Sequence, residues 1–219
     1  MVSLRQPSTL PIVGVVADAR TYRHLAYLLI AVPLGFAYSM LLTVGVGFGL
    51  VLSVVVIGFG LLFATLIGAR LLAGVERSLA NALLGTDLRR ADDLPDGDDG
   101  ALAEAKRYVD APSTWRSLGF LSLKFWVVLL AFAPVFILAS ALPLAVAPLR
   151  YPYEVQFGEV NGEPVTWAID TLPEALIAVP LGVIGLLVAL HMVNLLAYAT
   201  RQMAISLLGA QASATSGPG

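Results

Sequence analysis

Long apolar runs alternate with short charged ones along this chain. Asp, Glu, Lys and Arg are absent from Leu25–Ala69, Phe125–Leu149 and Ala175–Thr200. A helix crossing the hydrocarbon core of a bilayer takes roughly 20 apolar residues at ~1.5 Å rise each. The second and third runs each fit one crossing. The first is too long for one and predicts two, joined by a tight turn at Gly45-Val46-Gly47-Phe48-Gly49, where glycines permit positive φ. The pattern predicts an all-α integral membrane protein with four transmembrane helices, at about 25–44, 50–69, 125–146 and 175–198.

Helical spacing continues past the second and fourth spans, over Gly74–Leu84 and Tyr198–Leu208. In the first extension Val75, Leu79 and Leu83 share one face, while Glu76, Arg77 and Asn81 offer a polar one. This predicts a short amphipathic helix lying on headgroups or on a partner. Gly85 and Gly209 are natural helix stops. A central acidic loop follows at 85–113. Its Thr86–Gly100 stretch, rich in aspartate and broken by Pro95, is expected to be flexible. Between the last two spans, the outer segment 147–174 places Asn161-Gly162 between alternating apolar residues, a short β-hairpin signal. The remaining segments are an N-terminal stretch, 1–19, and a small polar tail, 210–219, expected to be disordered. The membrane domain is thus expected to occupy 20–209.

The pattern also repeats. Thr21-Tyr22-Arg23-His24-Leu25-Ala26-Tyr27-Leu28 precedes the first span, and Thr114-Trp115-Arg116-Ser117-Leu118-Gly119-Phe120-Leu121 precedes the third. Ala73, Arg77, Leu79, Ala80 and Leu83-Leu84-Gly85 recur after the fourth span as Ala197, Arg201, Met203, Ala204 and Leu207-Leu208-Gly209. Two matches in the same order predict two duplicated helical hairpins. Tyr22, Arg23, Trp115, Arg116, Arg77 and Arg201 are then expected to anchor helix ends among lipid headgroups.

Charge sets the orientation. Lys and Arg cluster before the first span, in the central loop and after the last span, whereas Arg150 alone lies in the outer segment. Positive residues are retained on the cytoplasmic side, so both termini and the central loop are expected in the cytoplasm of a multi-pass cell-membrane protein. A loose signal-peptide pattern around Arg5 and Leu10–Val16 is short and broken by Pro11 and Gly14, and a surface-lying segment suits it better.

Composition narrows the chemistry. Hydrophobic residues make up 58% and charged ones 13%, against roughly 25% charged in soluble domains. Mean hydropathy is +0.84. Cysteine is absent and the only histidines are His24 and His191, which excludes disulfides, thiolate nucleophiles and histidine-rich metal sites. A net charge of -2 gives no basic surface for nucleic acid. No catalytic constellation stands out, so no enzyme activity and no cofactor are expected. The spans also show no charge at mid-membrane, which weighs against transport of ions or polar solutes, and Lys124 is expected to snorkel to the headgroups.

Two candidate sites remain. In the outer segment Tyr151, Glu154, Trp167 and Asp170 could face a cationic or lipidic ligand, although a solvated cap with interfacial aromatics is the simpler reading. His191 and Asn194, one turn apart in the last span, could form an intramembrane polar pair with a group on the second or third span. The alternative is a histidine bonded to a neighbouring helix.

Thr21–Leu29 with Pro33-Leu34-Gly35, Asp110–Arg116 and Pro148-Leu149-Arg150-Tyr151 resemble the membrane sensor domain found at the N-terminus of many bacterial two-component histidine kinases, which also occurs as stand-alone proteins in archaea. The resemblance spans about residues 17–209. Trp126 departs from it, standing where the first hairpin has Pro33. The resemblance implies a non-enzymatic sensor or regulatory module. With little sequence after Gly209, no kinase is expected, and an envelope or bilayer signal would be relayed to a separate cytoplasmic signalling protein. The rival readings are a membrane subunit of a transporter or channel assembly and a structural membrane scaffold. Lipid is an expected partner in every case, and a homo-oligomer is compatible with all of them.

Overall fold

The structure, a computed structural model, describes residues 14–55, 57–89, 93–94 and 100–209. The expected disordered tail, and the N-terminal stretch up to residue 13, lie outside the described residues.

Helix α1 is a single turn, Gly14–Ala17, and α2 spans Ala19–Met40. The chain continues as a π-helical segment, Leu41–Phe48, a short α3, Gly49–Val51, and a 3-10 turn, Leu52–Val55. Helix α4 covers Ile57–Leu83, α5 Ala101–Asp110 and α6 Pro112–Ala145. A 3-10 turn, Ala147–Leu149, leads into strands β1, Tyr153–Val160, and β2, Glu163–Ile169, before α7, Leu172–Leu208. Among the described residues four stretches are long and apolar enough to cross a membrane: Ala19–Val55, Ile57–Leu83, Pro112–Ala145 and Leu172–Leu208. The expected fold class, a four-span helical protein with one small hairpin, is the one observed.

Local chemistry sets the helix ends. Asp18 caps α2, its Oδ1 accepting from the Arg20 amide at 2.9 Å. Glu174 reaches back from the first turn of α7 to the amides of Asp170 and Thr171 at 3.0 and 3.1 Å, the reciprocal half of a Thr-x-x-Glu capping box. Helix α4 ends where Gly85 takes φ +64 and the Thr86 amide returns to the Ala80 carbonyl, a Schellman closure.

The first reversal is not where the glycines suggested. Gly45, Gly47 and Gly49 are all helical, and the chain turns at Leu52–Val55. The physical reason is packing: a Cβ at Gly45 would overlap the Thr65 hydroxyl, and one at Gly49 would fall 2.7 Å from the Leu62 side chain. Glycine here lets α4 approach closely rather than letting the chain turn.

The chain divides into two compact units. One comprises residues up to Leu25 with Leu130–Leu195; the other comprises Ala26–Leu129 with residues from Leu196 onward. In the first, the β-hairpin closes on Asn161 and Gly162, both at positive φ, as a two-residue turn of the hairpin type requires. Val155 pairs with Trp167 and Tyr153 with Ile169. Val155 and Ile169 are buried with Leu144, Ala147, Ala175 and Ala178 at the adjoining helix ends. Tyr153 donates to the Pro143 carbonyl at 2.7 Å, satisfying an acceptor that the end of α6 leaves free.

In the second unit the buried face of α4 is a stripe of small residues, Ala69, Ala73 and Ala80, with Glu76 among them and buried Leu84 just past the helix end. The repeat register carries these positions to Val193, Ala197, Ala204, Thr200 and Leu208 of α7, and all five are buried as well. In the odd helices Thr21, Tyr27, Leu28, Ala31 and Tyr38 correspond to Thr114, Phe120, Leu121, Lys124 and Ala131, again all buried.

Candidate functional site

The most unusual chemistry lies where the apolar pattern hid it. Glu76 of α4 and Lys124 of α6 are both wholly buried, with Nζ 3.3 Å from Oε2. Tyr38 of α2 donates to Glu76 Oε1 at 2.7 Å and Tyr27 to Oε2 at 2.9 Å. Lys124 also donates to the Tyr27 hydroxyl, and its ammonium lies 4.1 Å from that ring's centroid. Tyr27 and Tyr38 are eleven residues apart, close to three helical turns, so α2 presents both on one face. The carboxylate thus accepts three hydrogen bonds, and no buried side-chain polar atom among the described residues lacks a partner.

Burying an ion pair costs several kcal/mol per ion before attraction and hydrogen bonds repay it. Side chains on a helix lean toward its N-terminus, and the bond to Tyr38 places the Glu76 carboxylate against the charge-free run Leu25–Ala69. In such surroundings an ionisable group is a functional candidate by default. This cluster corrects two expectations. Lys124 does not snorkel, and Glu76 does not belong to a solvated face. Val75 is exposed, but Glu76 and Arg77 are buried, because lipid, not water, bathes the outside of such a helix and polar groups turn inward.

Arg77, expected among the headgroups, donates from Nε to the Leu208 carbonyl at 3.2 Å, capping the C-terminal end of α7. The other expected anchors stand at the surface or half-buried: Tyr22, Arg23 and Trp115 are exposed, and Arg116 and Arg201 are intermediate. Tyr22 donates to the Val16 carbonyl at 2.7 Å and Trp115 Nε1 to the Val109 carbonyl at 2.8 Å. Each bond reaches six residues back along the chain.

A second polar group ties the central loop down. Asp93 accepts from the Ser113 amide at 2.8 Å and the Ser113 hydroxyl at 2.6 Å, capping α6 from outside the helix. Arg70 of α4 bonds Asp93 at 3.2 Å and Thr114 at 3.0 Å. Partial burial works to raise the Asp93 carboxyl, but the Ser113 bonds and the Arg70 guanidinium outweigh it and hold the group below its ordinary range. Nearer α4, Asn81 brackets Leu88 through both its amide and its carbonyl, at 2.8 and 3.0 Å. Parts of the loop read as flexible are therefore anchored, at Leu88 and Asp93; residues 90–92 and 95–99 lie outside the described residues.

His191 and Asn194 do not bond each other. His191 Nδ1 turns to the Leu187 carbonyl of its own helix at 2.8 Å. Asn194 donates to Thr21 at 3.0 Å and accepts from His24 Nδ1 at 2.7 Å, so its partners come from the head of the first span. His191, Asn194, Thr21 and Asp18 line one cavity of about 530 Å³. In the repeat register Asn194 corresponds to Arg70 and Thr21 to Thr114, and each pair is hydrogen-bonded.

The outer candidates do not converge. Trp167 shares the Val155 face and packs, half-buried, on the hairpin core. Glu154, one position along, faces the opposite way and is exposed, as are Tyr151 and Asp170. Among the described residues no group of three or more His, Cys, Asp or Glu could hold a metal ion.

The sequence signal for the missed cluster was the spacing Ala69-x-x-x-Ala73-x-x-Glu76-x-x-x-Ala80, a glutamate set within a small-residue stripe. No curated protein and no solved structure matches the chain. A family model described as "Putative sensor" matches residues 12–208. The chain is thus a multi-pass membrane protein that belongs to the sensor family.

Proposed function

We propose that this protein is a non-enzymatic membrane sensor module that relays an envelope or bilayer signal to a cytoplasmic partner. The observation that carries this reading is the buried Glu76–Lys124 pair with its two tyrosines, which links α2, α4 and α6 through groups with no solvent to fall back on. Packed polar networks of this kind have discrete arrangements rather than a continuum. A change in the bilayer or envelope that shifts these helices would exchange one arrangement for another. The ends of α4 and α7, joined through Arg77 and Leu208, would pass the shift on. The Lys and Arg distribution favours a cytoplasmic location for those ends.

The matched burial of the odd and even helices, and the matched bonds of Asn194 and Arg70, support descent from a duplicated hairpin. In that register Glu76 corresponds to Thr200 and Lys124 to Ala31, so only one of two equivalent positions became ionic.

A transporter or channel subunit is the second reading, and the same buried charge pair is what favours it, since ionisable groups inside spans mark ion and proton pathways. Crosslinking in native membranes followed by purification separates the two. Recovery of a cytoplasmic kinase or regulator, lost when residues 199–209 are deleted, supports the sensor. Recovery of membrane transport proteins alone, or proton flux through the purified protein in liposomes, supports the subunit.

A further inference from the structure

A groove of about 770 Å³ lies between the turn after α4 and the end of α7, lined by Thr86, Leu88, Arg89, Arg201, Ile205 and Ser206 among others. Its walls are built rather than incidental. Asn81 fixes the turn by bonding Thr86 at 2.7 Å and both backbone polar groups of Leu88, and Leu88 is buried. Arg77 fixes the far wall at Leu208. Neither Arg89 nor Arg201 has an ion-pair partner among the described residues, and the lining holds one acid, Asp87, against these two cations.

Arg201 is the first charge after the charge-free run Ala175–Thr200, which sets it at the edge of the apolar layer. Ile205, one turn on, is 40% exposed at the same groove. The lining thus offers guanidinium forks for phosphate oxygens beside apolar surface.

We propose that this groove binds the phosphate headgroup of an anionic phospholipid, with Arg201 and Arg89 as the phosphate ligands. The proposal does not depend on the sensor reading, because the same site would serve a transporter subunit.

The test uses the full chain in nanodiscs of phosphatidylcholine doped with phosphatidylglycerol, with bound lipid counted by native mass spectrometry. Arg201→Gln, Arg89→Gln and the double variant are compared, with Arg23→Gln as a control for general surface charge. Each groove arginine is expected to contribute roughly fivefold to phosphatidylglycerol retention, a larger loss than the general surface-charge effect that Arg23→Gln reads, with no displacement by inorganic phosphate. Equal retention by the wild type and the double variant would overturn the proposal. So would inorganic phosphate displacing the lipid, which would assign the groove to a soluble phosphate instead. Thermal denaturation of each variant identifies loss through unfolding, and in that case Arg201→Lys, which keeps the charge but not the fork, is read: retention below wild type supports the site and unchanged retention counts against it.

Discussion

Lys124 Nζ lies 3.3 Å from Glu76 Oε2, and neither side chain has any exposed surface. Leaving one charge without the other would strand an ion, whereas neutralising both would not. Glu76→Gln and Lys124→Met are each expected to destabilise the protein by roughly 3–5 kcal/mol. The double variant should lose much less than the sum. A double-mutant cycle on thermal unfolding in detergent checks this, and additive losses would show that the two groups do not interact.

The close approach of α4 to the π-helical segment makes a second prediction. Gly45→Ala forces a methyl group against Thr65 and should cost about 1–3 kcal/mol. Gly47→Ala meets no atom within 4 Å and replaces glycine in a helical segment, so it should be neutral or slightly stabilising. Unfolding midpoints of the two variants decide between a packing role and a turn role for this glycine cluster.

Asp93 gives a pH dependence. Its folded pKa is depressed, so the stability it lends is present above the unfolded carboxylate value of about 3.9 and is lost as pH falls through the folded value. Protection of the central loop from limited proteolysis should hold from neutral pH down to about pH 4 and fall below it. Asp93→Ala should expose the loop at neutral pH, with a loss of about 1 kcal/mol for the missing cap of α6. A loop equally protected in the variant would show that Ser113 and Arg70 do not depend on it.

The hairpin should behave as a cap. Trp167→Ala removes half-buried area from its core and should loosen the hairpin, seen as faster amide exchange at Val155 and Ile169. Glu154→Gln, on the opposite exposed face, should change neither exchange nor any signalling response. A response altered by Glu154→Gln with the hairpin intact would return the outer segment to the list of ligand sites.

Much of this fold was legible in the chain. A bilayer demands a fixed length of apolar residues, so the charge-free runs gave the number of spans and the place of the last two, while the boundary between the first two lies at Leu52–Val55 rather than at the glycines. Asn161-Gly162 announced its own turn. The interior was less legible because the usual inference from amphipathicity runs backward in lipid. Val75, Leu79 and Leu83 read as a face lying on headgroups or a partner, with Glu76 and Arg77 on a polar face, yet Glu76 and Arg77 are buried. Small residues beside a lone ionisable one were the better guide. The bonds of Asn194 to Thr21 and His24 join residues 173 and 170 positions apart, and no local spacing reports such a contact.

We propose that the Glu76–Lys124 network governs what the ends of α4 and α7 present to a partner. A photo-crosslinking residue placed at Gln202, which is exposed on α7, reads this directly in native membranes, with wild type and Glu76→Gln compared after folding has been checked. The account predicts capture of a cytoplasmic signalling protein from the wild type and a changed yield from the variant. Capture of membrane transport proteins alone, or a yield indifferent to Glu76→Gln, would contradict it.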